Sequence, residues 1–537
     1  MEENCQPRWL GEPIAIDGAH CDGYIETDVV ICGAGLAGVA AARGAVEAGA
    51  ACVLLEKTNR VQGRSGQFCL IGGEVLKRWQ IDNIDQAEQI VNELMMNTCY
   101  RSKQTILNYA IRHSGLDFDW YLEGLPKEGV FFADASTDVP PQGTKTHIML
   151  MQHPQQRRYD MTSARYPVHH NTVQIRPNHV GVLKNNLELA QQTGRLTVLY
   201  ETPAKKLIRD EKTGRITGVI AQNFDGKTVR VTARKGVILA TGDYSGDRAI
   251  LEQYCPWVLE NKVVPLGFDR EKKPINTGDG HRMGLWAGAK MEDGPHAVNA
   301  HNMGNAIGAT PFLLLDLDGK RFVNEDCPGA YLEAQISMLR DHTAWQFFDA
   351  SWPYQIPAMP FGHGSASQVL DEEAVKRGEC FDDLTPMDGY ASQSFIDKSV
   401  GRGATLKADT LEELIELTGL PKEQALASIC RYNALADSGR DTDFGKDAGE
   451  LFALKRGPFY ASKIESALLL CCHGGLESDA EGRVLDRQRR VIPGLYAVGN
   501  VQGNRVGVDY PTTVPGLSHT LCLTYGRLAG QNCAKEI

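Results

Sequence analysis

Three glycines and one carboxylate near the N-terminus have the spacing of a phosphate- and ribose-binding site. Gly33, Gly35 and Gly38 follow a short apolar run, and a second apolar run ends at Glu56, 18 residues beyond Gly38. Glycines in such a turn let backbone N–H groups approach a pyrophosphate, and a carboxylate at this distance can accept hydrogen bonds from ribose hydroxyls. The pattern therefore predicts a dinucleotide-binding site.

This chemistry requires a β-α-β unit that brings the glycines and the acid together. Residues 29–32 are predicted as a buried strand, 36–48 as a helix of small residues, and 53–55 as the second strand. Strand, glycine turn, helix, strand and acid in this order are far more specific than the glycines alone.

Length and charge restrict the class of protein. A chain of 537 residues exceeds the size of a single hydrophobic core, so we expect two domains. Lys and Arg total 56 against 67 Asp and Glu, and the formal net charge of −11 argues against a nucleic-acid partner and a polybasic membrane anchor.

The compartment is predicted from three negative features. The N-terminus lacks a basic start, an apolar core and a twin-arginine pair, and the longest apolar runs fall far short of the ~20 residues that cross a bilayer. The 14 cysteines have no CxxC or zinc-like spacing. We expect a cytoplasmic protein without a metal site; an iron–sulfur cluster built from distant cysteines stays open.

The remaining elements follow from periodicity and turn residues. Strands over 196–200, 216–220 and 229–233 are predicted as a small antiparallel layer, and 237–243 as a buried strand that runs into a glycine turn. Residues 124–177 are read as a polar stretch rich in Pro and Gly. Further predictions are helices within 85–123 and over 180–193, 281–288, 411–417, 422–436 and 517–533, and a strand over 491–500.

The change of pattern after residue 290 predicts a discontinuous organisation. Residues 1–290 and 464–537 are assigned to one domain, and 291–463, a mixture of helices and loops, to a separate cap domain.

The order of these motifs resembles the FAD-dependent family of fumarate reductase, succinate dehydrogenase flavoprotein and 3-ketosteroid dehydrogenase. The resemblance covers nearly the whole chain. It rests on the N-terminal glycines with Glu56 and on the segments 64–67, 240–242, 277–280, 319–325 and 494–500. It implies an α/β fold, in which a Rossmann-like FAD-binding domain carries an inserted α+β cap that closes over the flavin.

The resemblance also implies the cofactor and its contacts. Covalently flavinylated members carry a histidine in the segment that corresponds to 64–67, and this chain has none there, so noncovalent FAD is expected. The helix at 517–533 would direct its positive end at the flavin N1/O2 edge. The residues implied for FAD are Gly33, Ala34, Gly35, Gly38, Glu56, Lys57, Arg64, Ser65, Gly66, Gln67, Ala204, Thr241, Gly242, Asp279, Gly499, Asn500, Leu517 and Ser518.

The chain departs from the fumarate reductase pattern where the substrate cations would stand. Gly329 occupies the position of the proton-donating arginine, and the segment 470–475 has a cysteine at the position of a substrate-binding histidine, which leaves His473 as a displaced candidate. Carboxylates without paired cations would be desolvated and unpaired, so a site for fumarate or succinate is disfavoured.

The C-terminal segment looks instead like the ketosteroid dehydrogenases. Those enzymes hold the 3-keto oxygen with a tyrosine hydroxyl and a glycine N–H, and Tyr510 and Gly516 match them with two extra residues between. Tyr331 stands two residues beyond the position of their catalytic tyrosine. This longer form resembles bacterial flavoprotein reductases of steroid-like enones and lactones, including those for bile acids and cardiac glycosides.

These matches predict an FAD-dependent oxidoreductase acting on CH–CH groups. In the predicted reaction an enone of a bulky apolar substrate, a 3-oxo-steroid or bile-acid derivative, receives hydride from flavin N5. Tyr510 and Gly516 polarise the carbonyl, Tyr331 protonates the carbon, and His473 faces the substrate. The electron donor or acceptor is external, since no second nucleotide motif is evident.

Three alternatives remain open. The same groups could introduce a double bond into a 3-ketosteroid, with a tyrosinate as base. A small α,β-unsaturated carboxylate, similar to fumarate or urocanate, could be the substrate. A flavin-bearing subunit with a membrane or haem partner is a third, disfavoured by the missing histidine at 64–67.

Overall fold

The computed structural model describes most of the chain. The described residues are 7–16, 18, 20–134, 138, 141, 143–151, 172–301, 304–326, 329–359, 364–377, 385, 386, 389–465, 467–511 and 514–536. None of the helices in these ranges combines the length and apolar character that crossing a bilayer requires.

Fourteen α-helices and 21 strands lie in the described part of the chain. The helices are α1 (Leu36–Glu47), α2 (Glu74–Lys77), α3 (Ala87–Asn97), α4 (Gln104–Leu122), α5 (His179–Gln192), α6 (Arg248–Tyr254), α7 (Asp279–Trp286), α8 (Gly329–Ile336), α9 (Trp352–Gln355), α10 (Glu372–Lys376), α11 (Gln393–Gly401), α12 (Leu411–Thr418), α13 (Lys422–Ser438) and α14 (Leu517–Cys533). The strands are β1 (Gly23–Cys32), β2 (Cys52–Leu55), β3 (Gln67–Cys69), β4 (Val130–Asp134), β5 (Thr146–Met151), β6 (Thr172–Arg176), β7 (Leu196–Leu199), β8 (Ala204–Arg209), β9 (Ile216–Gln222), β10 (Thr228–Leu239), β11 (Lys262–Val263), β12 (Val298–His301), β13 (Leu313–Asp316), β14 (Ala344–Asp349), β15 (Gln368–Val369), β16 (Tyr390–Ala391), β17 (Thr405–Ala408), β18 (Phe459–Ile464), β19 (Leu468–Cys472), β20 (Arg483–Leu485) and β21 (Val491–Ala497).

A mostly parallel sheet forms the centre of the fold. Its order is β20-β21-β10-β1-β2-β7, and β9 and β8 extend it antiparallel from β10. Alternate side chains of β1 face opposite layers: Val29 and Ile31 pack with α1 and α14, whereas Val30 and Cys32 pack in a second core. Burial on both faces explains the continuous apolar run of this strand. The predicted α/β class is confirmed.

Helices α1 and α14 pack closely because small residues line both. A Cβ atom on Gly526 would lie 2.4 Å from the Ala37 carbonyl oxygen, and one on Gly530 would lie 2.2 Å from that of Ala41. Backbone contact of this kind fixes α14 against the helix that follows the glycine turn.

Several predicted elements need correction. Strand β7 pairs in parallel with β2 at the edge of the central sheet, so it is not part of an antiparallel layer. The predicted strand at 229–233 and the first part of the one at 237–243 belong to one strand, β10, which ends at Leu239. The stretch 124–177 contains strands that join β3 in a sheet of order β3-β6-β5-β4.

The interval 291–463 holds an antiparallel sheet that the sequence did not predict. Its order is β13-β14-β18-β17, and α12 and α13 pack over one face of it. Both helices agree with their predicted bounds to within two residues. The division of the chain at residues 291 and 463 stays a prediction.

We expect Gly530→Ala to destabilise the protein by about 1–3 kcal/mol, because the added methyl group would overlap the Ala41 carbonyl oxygen. The measurement is the free energy of unfolding from urea titration. Gly401→Ala is the matched control, since its Cβ meets nothing within 4 Å and should shift the value by less than about 0.5 kcal/mol. Equal stability of the two variants would contradict the packing described for α1 and α14.

Candidate active site

Two adjoining cavities open where β1 and β10 end. The first has about 1170 Å³ between its walls, part of it open to solvent, and the second about 640 Å³. They share wall residues such as Gly35, Gln62 and Gly242, so together they form one elongated cleft. Ligands of open parallel sheets bind at this carboxyl-terminal edge.

Most residues predicted for FAD line this cleft. The second cavity is lined by Gly33, Ala34, Glu56, Lys57, Ala204, Thr241 and Asp279, the first by Arg64, Ser65, Gln67, Gly499, Asn500 and Ser518, and both by Gly35 and Gly242. Gly38, Gly66 and Leu517 are not wall residues. A Cβ on Gly38 would lie 1.8 Å from the Gly33 carbonyl oxygen, so this glycine packs the helix onto the turn.

The second cavity fits the phosphate and ribose of a dinucleotide. Gly33 has φ +109°, and a Cβ there would lie 2.3 Å from the Ala240 carbonyl oxygen, so only glycine leaves this cradle open. Thr241 presents a buried Oγ1 atom that has no hydrogen-bond partner among the described residues. An unpartnered hydroxyl in a wall of this kind is a ready contact for a polar ligand.

Glu56 and Asp279 are the carboxylates of this cavity. Glu56 Oε2 accepts from the Ala34 N–H (2.7 Å), and Oε1 from the Thr58 N–H (2.7 Å). Burial alone would raise the pKa of Asp279, but the Lys57 ammonium, 3.0 Å away, and the Thr277 hydroxyl hold it below its usual value. The ion pair between Lys57 and Asp279 therefore connects the loop after β2 to the start of α7.

Arg64 connects the segment 64–67 to two other parts of the chain. Its Nη1 donates to the Leu470 carbonyl (3.0 Å) and its Nη2 to the Val264 carbonyl (2.6 Å). The His519 ring lies 2.8 Å from the Arg64 carbonyl oxygen. Burial lowers the pKa of Arg64. The guanidinium lines the first cavity, but both of its Nη atoms donate to backbone carbonyls.

Tyr510 presents a buried phenol at the first cavity. Its Oη accepts from the Ser518 N–H (2.9 Å), which leaves its own proton available for a ligand. Burial raises the pKa of Tyr510, so the phenol keeps that proton. A hydrogen bond received by Oη also polarises the O–H bond outward.

Gly516 begins α14 at the wall of the same cavity. It has φ +84°, and a Cβ there would lie 2.6 Å from the Phe68 backbone nitrogen. A glycine is therefore required for α14 to start against β3, and the positive end of the helix dipole lies at this point.

His473 is not among the wall residues of either cavity, and its role toward the substrate stays a prediction. Its ring stacks on that of Tyr510, with centroids 4.7 Å apart and planes 16° apart. Burial lowers its pKa, and Arg505 adds to this effect, so the imidazole is neutral. The stacked ring of His473 therefore restricts the orientation of the Tyr510 phenol.

Tyr331 lies in α8, which packs against β12. Its side chain lies outside the described part of the structure. The acid role of Tyr331 stays a prediction. Strand β12 ends at His301, which lines the first cavity.

The cavity also holds groups that the sequence did not reveal. Its wall includes His179, His301, His519 and Asp243, which come from four separate elements. Both ring nitrogens of His179 lack a hydrogen-bond partner among the described residues, and burial lowers its pKa to about 3. No motif marks these residues, because their burial depends on packing between distant segments.

Arg505 is the most consequential of the missed groups. The side chain is fully buried, its Nη2 donates to Asn500 Oδ1 (2.9 Å), and its Nε donates to the Gln502 carbonyl (2.9 Å). Its Nη1 has no hydrogen-bond partner among the described residues. The sequence comparison does not reveal this cation, which is bonded to the wall residue Asn500.

A parallel sheet with a glycine cradle at its carboxyl edge defines a dinucleotide-binding α/β protein. The FAD binding domain family matches residues 28–512, and the chain belongs to that family. The predicted resemblance, the enzyme class of FAD-dependent oxidoreductases acting on CH–CH groups and the cofactor FAD are thereby confirmed.

Individual relatives are distant. The chain is 27% identical to a vinyl phenol reductase of Lactiplantibacillus plantarum, over 95% of this chain and 96% of that protein. It is 27% identical to a 3-oxosteroid 1-dehydrogenase of Mycolicibacterium smegmatis, over 95% and 97%. It is 28% identical to an NADH:acrylate oxidoreductase of Vibrio harveyi, over 65% of this chain, but spans only 31% of that relative.

The fold agrees with a solved structure. A 3-ketosteroid-Δ4-(5α)-dehydrogenase from Rhodococcus jostii RHA1 superposes with a TM-score of 0.71 at 22% identity, covering 98% of this chain and 99% of that one.

Proposed function

We propose that this protein reduces a carbon–carbon double bond conjugated to a carbonyl in a bulky apolar compound, a 3-oxo-steroid or a bile-acid derivative. The observation that carries the proposal is that the Tyr510 phenol and Gly516 line the same cavity as the residues predicted to hold the flavin. A phenol and a helix N-terminus at one wall suit a single carbonyl oxygen.

Tyr510 donates its proton to the substrate carbonyl. The Ser518 N–H holds Oη in place, and the stacked His473 ring restricts the phenol to one orientation. The positive end of α14 at Gly516 stabilises the negative charge that develops on the oxygen. A donor fixed in this way contributes on the order of 3 kcal/mol to the stability of the transition state.

The rest of the reaction requires one hydride and one proton. FAD, held noncovalently by the residues that line the two cavities, would supply the hydride chemistry when bound and reduced by an external donor. Tyr331 supplies the proton to the α-carbon. The side chains that line the first cavity include Leu36, Leu266, Leu470 and Pro515, which suit an apolar substrate.

A second candidate is a small α,β-unsaturated carboxylate. The specific observation in its favour is Arg505, whose Nη1 is buried and lacks a partner among the described residues. A carboxylate that displaced Asn500 from this guanidinium would find a paired cation. The first candidate is preferred because Arg505 is not itself in the cavity wall.

The substrate class is tested with the chemically reduced enzyme under anaerobic conditions. We expect a 3-oxo-4-ene steroid or an unsaturated bile acid to restore the oxidised flavin absorbance within seconds, and fumarate, acrylate and urocanate to leave it reduced. Reoxidation by a small acid alone would overturn the proposal in favour of the second candidate. The saturated steroid is the matched control, since it lacks the bond to be reduced.

Tyr510→Phe should lower kcat for the enone by about 100-fold to 1,000-fold, because it removes one fixed donor to the oxyanion. FAD should remain bound at the level of the unaltered enzyme. Tyr354→Phe is the control, since that tyrosine is 80% exposed and is not a residue of the cavity wall. Because burial raises the pKa of Tyr510, turnover of the unaltered enzyme should show no loss near pH 10. An unchanged kcat in Tyr510→Phe would eliminate this role.

Tyr331→Phe should retain FAD and lose about 100-fold or more in turnover, as expected when a general acid is removed. The check is steady-state turnover together with deuterium incorporation at the α-carbon in heavy water. Turnover equal to that of the unaltered enzyme would exclude Tyr331 as the acid and leave the substrate proposal intact.

A further inference from the structure

We propose that Glu292 is a positioning residue, whose carboxylate ties together the two loops that support Tyr510 and Arg505. Glu292 lies between α7 and β12. Its Oε1 accepts from the Gly475 N–H (2.8 Å) and its Oε2 from the Asn504 N–H (2.7 Å). One carboxylate therefore bridges two chain segments that are separate in sequence. The consequence for catalysis rests on the function proposed above.

Each bridged loop carries a group of the site. Gly475 lies two residues after His473, whose ring stacks on Tyr510, and Asn504 immediately precedes Arg505. The loops also touch directly: the Gly503 N–H donates to the Leu476 carbonyl (2.7 Å), and a Cβ on Gly475 would lie 2.3 Å from the Val501 carbonyl oxygen. A change at Glu292 would therefore be transmitted to both sides of the cavity.

Asn504 adopts a backbone conformation that suits its residue type. It has φ +61°, in the left-handed region that asparagine enters more readily than other non-glycine residues. The hydrogen bond from its N–H to Glu292 holds the backbone in this conformation. Loss of the bond would release the backbone immediately before Arg505.

Glu292 is itself held by a second set of bonds. Its N–H donates to the Gly475 carbonyl (2.9 Å), and its own carbonyl lies 3.0 Å from the His296 Nε2. The His296 Nδ1 lies 2.7 Å from the Tyr244 hydroxyl. These bonds hold the backbone of Glu292, from which its carboxylate reaches the two loops.

Glu292 lines a cleft other than the two cavities of the active site. The ionisable residues that line this cleft with it are Tyr100, Arg101, Asp293, Glu477 and Arg489. Lys103 and Arg505 also interact electrostatically with its carboxylate. Burial raises the pKa of Glu292 to about 7, although the two backbone N–H groups and Arg505 oppose the rise.

Protonation would weaken the bridge. The acid form turns one acceptor oxygen into a donor, so either Gly475 or Asn504 would lose its partner. Since the folded pKa is raised, the proton is taken up as the pH falls through about 7. Turnover that depends on the bridge should decline over this window.

The first test is hydrogen exchange in the FAD-loaded full chain, read by mass spectrometry at pH 8. In Glu292→Gln we expect at least tenfold faster exchange in peptides that cover 470–478 and 499–508. Asp293→Asn is the matched control, because that neighbour shares the cleft but its side chain is 74% exposed and pairs with Lys290 rather than with the two loops. Unchanged exchange at both peptides in Glu292→Gln would overturn the proposal.

The second test is the pH profile of turnover, with the compound that reoxidises the reduced enzyme. The unaltered enzyme and Asp293→Asn should lose activity as the pH falls through about 7, whereas Glu292→Gln should run at a low and level rate. Glu292→Asp, which keeps the charge, should restore part of the rate. Faster exchange with unaltered turnover would overturn the positioning role.

The two tests separate this inference from the proposed function. If no enone reoxidises the unaltered enzyme, the substrate proposal fails, and the exchange measurement still decides whether Glu292 ties the loops. If an enone is reduced and exchange is unchanged in Glu292→Gln, only the present inference fails.

Discussion

The whole arrangement depends on how closely the backbone of the glycine turn approaches β10. At Gly33 there is no room for a Cβ atom, because the Ala240 carbonyl oxygen would lie 2.3 Å from it. The same approach aligns the ends of β1 and β10, so that Gly35, Thr241 and Gly242 all face one cleft. A side chain at this point would separate the strands that build the cofactor cavity.

Helix α14 connects the helix after the glycine turn to the part of the cavity where Tyr510 lies. Its middle packs on α1 through Gly526 and Gly530, and its first turn is bonded to β3 by Thr520, which accepts from the Cys69 N–H and donates to the Cys69 carbonyl. The helix can therefore begin in only one place, at Gly516. The phenol of Tyr510 is fixed to that same turn through the Ser518 N–H. Packing of small residues far from the cavity thus determines where a carbonyl oxygen would be held.

The sequence predicts the elements whose signals are local. Helix α14 agrees with its predicted bounds because Pro515 and Gly516 mark its start, and β1 and α1 follow from the glycine pattern. Strand β3 pairs with β6, where Gln67 faces Gln174, and such pairing between distant segments leaves no local signature. The sequence therefore does not predict the strands of the sheet β3-β6-β5-β4, and its prediction that β7 belongs to an antiparallel layer is wrong.

The same distinction holds within the site. Residues in glycine motifs could be assigned to the cofactor because the turn itself dictates their geometry. Arg505 resembles any surface arginine in sequence, and only the packed structure reveals that it is fully buried. His179 and His301 lie outside every motif, and they meet at the cavity through tertiary packing alone.

Burial of Arg505 also sets the electrostatic character of the site. Among the described residues Arg505 donates to the neutral acceptors Asn500 and Gln502, and no carboxylate is bonded to this cation. The neighbouring imidazole of His473 is kept neutral by burial and by the guanidinium itself. The carboxylate of Glu292 accepts a hydrogen bond from the N–H of Asn504, the residue before Arg505, and it supplies a negative charge that balances the guanidinium. Arg505 in turn opposes the rise that burial causes in the pKa of this carboxyl. Because Arg505 is not bonded directly to a carboxylate, its Nη1 has no hydrogen-bond partner among the described residues. Such a donor can bind an oxygen-rich or anionic part of a ligand.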